Sequence, residues 1–189
     1  MPNTNDSQNV TTSRPKVGGA VFTAPLGTAL PTSATAALAA AFENMGYVSE
    51  DGFTNATSAD SEEFNDWNGD VVDSSQTSHS ETYALKFIER NATVLKSVYG
   101  DANVTVGGDG SVTVQHTSAD REHRCFVIDE MLKGDRINRT VIPDGKITEV
   151  GDVVHKKSEL LGFDSTITAF PDASGVKAYE YTEPPEAVG

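Results

Sequence analysis

The strongest constraint on this chain is its punctuation. From Gly100 onward, short alternating apolar runs are cut one after another by Gly, Pro, Asn and Asp turns. Val104 and Val106 alternate into Gly107-Gly108-Asp109-Gly110, and Val112 and Val114 alternate out, the pattern of a β-hairpin. Arg124 to Asp129 reads as a mostly apolar strand and Ile137 to Ile142 as another, with Pro143-Asp144-Gly145 as a turn into Ile147 to Val150. Val153 to Leu161 and Ser165 to Phe170 follow, joined at Gly162, and after the Pro171 to Gly175 turn comes a last strand, Val176 to Tyr181. Runs this short suit strands better than helices, which need three turns or more to bury a face.

The N-terminal half is less regular. Met1 to Arg14 is polar and carries almost no apolar surface, so residues 1–16 are expected to form a flexible arm. Val17 to Thr23 is the first expected strand. Ala34 to Met45 places Leu38, Ala41, Phe42 and Met45 at helical spacing on an alanine-rich body, behind Pro31, Thr32 and Ser33 as start signals and before Gly46 as a stop, so a helix is expected there. Between Glu50 and Trp67 the pattern is polar and aperiodic, which predicts a long acidic loop, and Asn68-Gly69 then marks a hairpin turn into Val71-Val72. Tyr83, Leu85 and Phe87 alternate as a strand, and Asn91 is placed to cap a short helix that ends before Gly100.

These elements make about ten short strands and two short helices in one domain, spaced as a β-sandwich or partly closed barrel requires. The domain is expected over residues 17–182, with 183–189 as a C-terminal tail. No segment approaches the roughly 18 to 20 apolar residues of a membrane span, and the N-terminus lacks the basic and apolar regions of a signal peptide. On that expectation of no secretion, the Asn-x-Ser/Thr sequences at Asn5, Asn9, Asn55, Asn91, Asn103 and Asn138 are turn and cap residues rather than glycosylation sites. A single cysteine, Cys125, excludes an intrachain disulfide.

Charge narrows the function classes. The formal net charge is −14, and from Val17 to Leu85 there is no lysine or arginine, while Glu43, Glu50, Asp51, Asp60, Glu62, Glu63, Asp66, Asp70, Asp73 and Glu81 all lie there. Such a surface repels phosphate and argues against storage-type or sequence-specific nucleic-acid binding. The carboxylates from Asp60 to Asp73 lack the ligand spacing of a calcium loop, so no dedicated metal site is expected. His116, His123 and Cys125 lie near one another in sequence, but a lone Cys in an apolar strand is ordinarily a buried small hydrophobe, and no oxyanion-hole turn accompanies it. Gly107 to Gly110 leads into a strand where a phosphate loop needs a helix. No catalytic residue, cofactor or membrane partner is expected.

The wording of several segments goes further. Pro25-Leu26-Gly27-Thr28-Ala29-Leu30-Pro31-Thr32, the alanine run, and Gly46-Tyr47-Val48-Ser49-Glu50-Asp51-Gly52 resemble the N-terminal part of the major tail tube proteins of long-tailed actinobacterial phages. Trp67 to Val72, Glu89 to Gly100, Val141 to Lys146 and Thr166 to Phe170 also look like segments of that family. The resemblance implies a structural subunit, not an enzyme, whose copies form rings, hexameric in the family, that stack into the tube of a non-contractile tail. It implies assembly in the host cytoplasm, contacts with the tape measure and tail-end proteins, and viral DNA as transiting cargo. Val17, Phe53, Phe64 and Trp67 are candidate contacts between subunits, and Asp70, Asp73, Glu149 and Asp152 are candidate lumen-facing acids. The alternative is a head-decoration or Ig-like surface-binding module, which would be a small stable oligomer rather than a polymer.

Overall fold

The structure, a computed structural model, describes residues 10–183. Its strands are β1 (Ser13–Pro15), β2 (Val21–Pro25), β3 (Glu43–Asn44), β4 (Val48–Asn65), β5 (Val71–Phe87), β6 (Val104–Val106), β7 (Val112–Val114), β8 (Arg124–Leu132), β9 (Arg136–Val150), β10 (Phe163–Phe170) and β11 (Tyr179–Thr182), with one α-helix, α1 (Ala92–Tyr99). The large sheet runs β3-β2-β8-β9-β10-β5-β4; β1 extends it on β8 and β11 on β9, while β6 and β7 form a separate hairpin. The fold is mainly β, as the punctuation predicts. The sheet stays open rather than closing into a barrel, and no helix among the described residues is long and apolar enough to cross a membrane.

Alternation decides which face is core. Tyr83, Leu85 and Phe87 of β5, Phe126 and Ile128 of β8, Ile142 and Ile147 of β9 and Ile167 of β10 share one cluster with Val94, Leu95 and Val98 of α1. Phe87, Phe126 and Phe163 are fully buried, each contributing ~1.5–3 kcal/mol relative to an exposed ring. Helix α1 begins and ends as its sequence dictates: Asn91 accepts a hydrogen bond from Val94 N at 2.9 Å, and Gly100, at φ 93°, donates to Lys96 O at 2.8 Å.

Four expectations are corrected. Residues 34–45 form no helix: bends and a turn lead into the short strand β3, because Arg139 Nη1 donates to the carbonyls of Ser33 at 3.2 Å and Ala36 at 2.6 Å, groups a helix would have used internally. The long acidic loop is a strand, β4, paired with β5 from Phe53↔Leu85 to Asn65↔Val71. Pro143-Asp144-Gly145 does not reverse the chain. It lies within β9, where the register steps from Arg124↔Gly145 to Phe126↔Ile142, so Pro143 and Asp144 together oppose Cys125 as a bulge. Residues 153–161 are not a strand, because Lys156 pairs with Glu159 at 3.0 Å across a turn.

The ends of the chain were expected to be free. Residues 1–9 of the arm and 184–189 of the tail lie outside the described residues, and Ser13–Pro15 pairs with Glu130 to Leu132 of β8.

Candidate assembly surface

The β4–β5 hairpin outruns the body of the protein. β10 pairs with β5 only as far as Ala169↔Glu81, so from Ser80 to the tip neither hairpin strand has another sheet neighbour among the described residues, although Lys177 Nζ donates to the His79 carbonyl. Every residue from Thr54 to Ser80 is exposed. At ~3.3 Å per residue, the stretch beyond the Thr57↔Glu81 pair extends roughly 25–30 Å from the sheet. A two-stranded ribbon of this kind is at best marginally stable alone in water, and both its edges present unpaired N–H and C=O groups.

Its tip is nevertheless well built. Asp66 Oδ1 accepts from the amides of Asn68 at 2.8 Å and Asp70 at 2.9 Å, and Gly69 takes φ 92°. Those bonds, that from Asp70 first, hold the Asp66 carboxyl below its ordinary value. Beside this turn, Phe64, Trp67, Val71 and Val72 are all exposed. A second irregularity lies midway, where Asp60↔Ser78 gives way to Ser61↔Gln76 and Thr77 is left over, with its hydroxyl donating to Asp60 O at 3.2 Å. The hairpin therefore bends there.

The residues singled out in the sequence fall on three surfaces. Phe64 and Trp67 stand on the tip. Phe53 packs against the chain's own core, its ring 6.3 Å from that of Tyr83. Val17 is exposed on the rim of a groove at the hairpin's root. Asp70 and Asp73 lie at the distal end of the hairpin, whereas Glu149 stands on the body, on the sheet face opposite the core, and Asp152 just beyond β9. That face is short and polar: the rows Glu149, Thr166, Ala84, Thr54 and Lys146, Thr168, Thr82, Ala56 cross β9, β10, β5 and β4 in register. Its lysines are paired, Lys86 with Asp164 at 3.5 Å and Lys146 with Asp120.

The groups weighed for chemistry do not converge. Cys125 is buried with its thiol donating to Pro143 O at 3.1 Å, and burial pushes its pKa up, the opposite of an activated thiolate. His123 Nδ1 lies 2.6 Å from Asp144 Oδ1 and its ring packs beside Phe170. The carboxylates from Asp60 to Asp73 are strung along the hairpin, and among the described residues no group of three or more His, Cys, Asp or Glu side chains could hold a metal ion.

Sequence reasoning missed the hairpin because its strands bury nothing, so neither face needs apolar residues and no alternation marks them. The surviving signal was Asn68-Gly69. Comparison with curated proteins gives no match. The family model described as phage tail tube protein, however, matches residues 2–185, nearly the whole chain. The chain therefore belongs to the phage tail tube protein family and is a structural protein of the virion tail.

Proposed function

We propose that copies of this chain close into rings and stack into the tube of a long, non-contractile tail, through which viral DNA passes into the host. The observation that carries this reading is the hairpin from Ser58 to Ser80, exposed on both faces and, among the described residues, without a further strand on either edge, tied to the body near its root only where Lys177 Nζ donates to the His79 carbonyl. Such a ribbon becomes stable only when a neighbour covers it, and edge-to-edge pairing between copies would satisfy its main-chain groups while building a continuous wall. The ring number, hexameric by the resemblance, follows from how many hairpins close the circle. Trp67 and Phe64 serve as anchors between copies, with Val17 on the receiving side, and Phe53 props the hairpin's root against its own core.

The same reading gives the acids a role. Glu149, Asp152, Asp70 and Asp73 face the conduit or its rim and repel phosphate, so that DNA slides without being held. It assigns no catalysis to the chain, and its virion partners are the tape measure and tail-end proteins. Negative-stain imaging of the purified chain over a range of concentrations tests the reading. Rings or tubes of uniform diameter support it, and a small oligomer that never polymerises but binds capsids points instead to a decoration module.

A further inference from the structure

Asn68 is the one asparagine of the chain that precedes a glycine. The side-chain amide of an asparagine is open to attack by the main-chain nitrogen of the next residue, and glycine, with no β-carbon, leaves that approach clear. Hydrogen bonding singles out the same residue. Asn44, Asn55, Asn91, Asn103 and Asn138 each donate side-chain bonds of 2.7 to 3.3 Å. Asn65 is exposed but is followed by Asp66, whose side chain crowds the attacking nitrogen. Asn68, exposed in the turn at the hairpin tip, has one longer contact, Nδ2 to Asp66 Oδ2 at 3.4 Å, and its Oδ1 accepts no hydrogen bond among the described residues. We propose that Asn68 is the position at which this chain deamidates, and that the carboxylate of Asp66 sets the rate by holding the turn closed.

The step needs only water and a base from solvent. Gly69 N, once its proton has passed to hydroxide, bonds to Cγ of Asn68. The Cγ–Nδ2 bond breaks, the nitrogen takes up a proton from water and leaves as ammonia, and a succinimide ring closes between the two residues. Water then adds to either ring carbonyl and opens it, giving aspartate or isoaspartate; nothing is oxidised or reduced. The closed turn resists this chemistry. Gly69 N–H donates to Asp66 O at 3.1 Å, Asp66 N donates to Asp70 O at 2.8 Å, and Asp66 Oδ1 holds the amides of Asn68 and Asp70 on either side of the reacting nitrogen. The Asn68–Gly69 peptide cannot swing its nitrogen onto Cγ until those bonds open. Opening is a local event, because Trp67, Val71 and Val72 are exposed and bury nothing that would hold the turn shut. The isoaspartyl product carries an extra carbon in the main chain, which moves the Asp70 amide off Asp66, so the turn does not re-form.

Peptide mapping of the full chain tests this. Wild type and Asp66→Ala are incubated folded in mildly alkaline buffer, with a parallel pair in denaturant, and digests are resolved by chromatography and mass spectrometry into the Asn, Asp and isoAsp forms of each asparagine peptide. Asn68 is expected to convert before any other asparagine, and faster in denaturant than in the folded chain. Asp66→Ala should raise the folded rate at least about fivefold, since two bonds to a charged acceptor are lost, and leave the rate in denaturant unchanged. Earlier conversion of a different asparagine overturns the site, as does a folded Asn68 that stays intact in both chains after the denatured chains have converted. Equal folded rates in the two chains overturn Asp66 as the gate. So does an equal acceleration of Asp66→Ala in denaturant, which would be a direct effect of the side chain on the chemistry and not of the turn. Tube formation is not read in any arm, so a failure here leaves the tube reading standing.

Discussion

Arg139 grips Asp129 with two parallel bonds, Nε to Oδ1 at 2.6 Å and Nη2 to Oδ2 at 2.8 Å, and both side chains are almost wholly buried. The third nitrogen of the fork, Nη1, holds the carbonyls of Ser33 and Ala36, and Lys16 approaches the same carboxylate from the N-terminal segment. One ion pair therefore joins two central strands, the 26–42 segment and the residues just after β1. Only an arginine has the donors to do this at one point.

Asp129→Asn is accordingly expected to cost about 3–5 kcal/mol, because it leaves a buried guanidinium without its counter-charge. Arg139→Lys should also destabilise and should free the 33–36 backbone, since one ammonium cannot serve a carboxylate and two carbonyls in that geometry. Chemical denaturation measures the first effect and amide exchange the second. A loss under 1 kcal/mol in Asp129→Asn would show that the pair is dispensable.

That clamp also explains where the sequence was readable. Period-two runs such as Tyr83-Leu85-Phe87, the Asn91 cap and the Val104–Val114 hairpin are local decisions, and each forms where its residues predict. The 34–45 helix was a reasonable inference from alanine propensity, but its fate was decided by Arg139, about a hundred residues away, which no local pattern discloses. Pro143-Asp144-Gly145 carries the same residues whether it turns the chain or bulges a strand; here pairing with β8, beyond the reach of any local pattern, holds it as a bulge opposite Cys125. The hairpin is half legible: Asn68-Gly69 marks its turn and Trp67 and Phe64 stand out as aromatics without a periodic context, but its strands bury nothing and so carry no alternation to read.

Gly145 makes the packing of that bulge measurable. A β-carbon there would lie 2.8 Å from the ring of Phe126 and 3.1 Å from side-chain carbons of both Ile142 and Ile167, all in the core. Its neighbours cannot retreat without opening space elsewhere. Gly145→Ala should therefore destabilise by ~1–3 kcal/mol through overpacking, in contrast to the small gain that alanine often brings at unstrained positions. Thermal melting decides between the two signs.

Two groups set opposite limits of pH. Burial, and then the hydrogen bond its hydroxyl donates to Glu81 Oε1 at 2.6 Å, raise the Tyr83 pKa above its ordinary 10.0. The folded state thus holds this proton more tightly than the unfolded chain, and stability present below pH 10 is lost as the pH rises toward the folded value. Tyr83→Phe should flatten that alkaline loss and remove a late-ionising phenol from the ultraviolet titration. At the hairpin tip the sign is reversed. Asp66 is lowered from 3.8, so order in the turn is present above that value and fades as acid protonates the carboxylate. Protection of the Asp70 amide, measured against the intrinsic exchange rate at each pH, should fall at low pH in the wild type and be low at all pH values in Asp66→Ala; protection indifferent to both changes would remove Asp66 as the organiser of the turn.

The hairpin offers the sharpest separation of folding from assembly. Thr57 and Glu81 face each other across β4 and β5, and everything beyond them is exposed, so replacing residues 58–80 by Asn-Gly closes the ribbon with a two-residue turn at a position where the strands are already paired. The core residues Tyr83, Leu85 and Phe87 and the whole β5–β10 pairing, from Glu81 to Phe87, are untouched. Removing an unsupported ribbon should change stability by no more than about 0.5 kcal/mol, as for surface substitutions away from packed features. The same deletion removes Phe64, Trp67, Val71 and Val72 together with both free edges, and so everything that could bridge one copy to the next along the hairpin. Melting curves should therefore overlay those of the full chain, while sedimentation and negative-stain images show no tubes at concentrations where the full chain forms them. A shortened chain that melts normally and still builds tubes of the same diameter would show that the contacts lie on the body, and that the hairpin is not what joins the subunits.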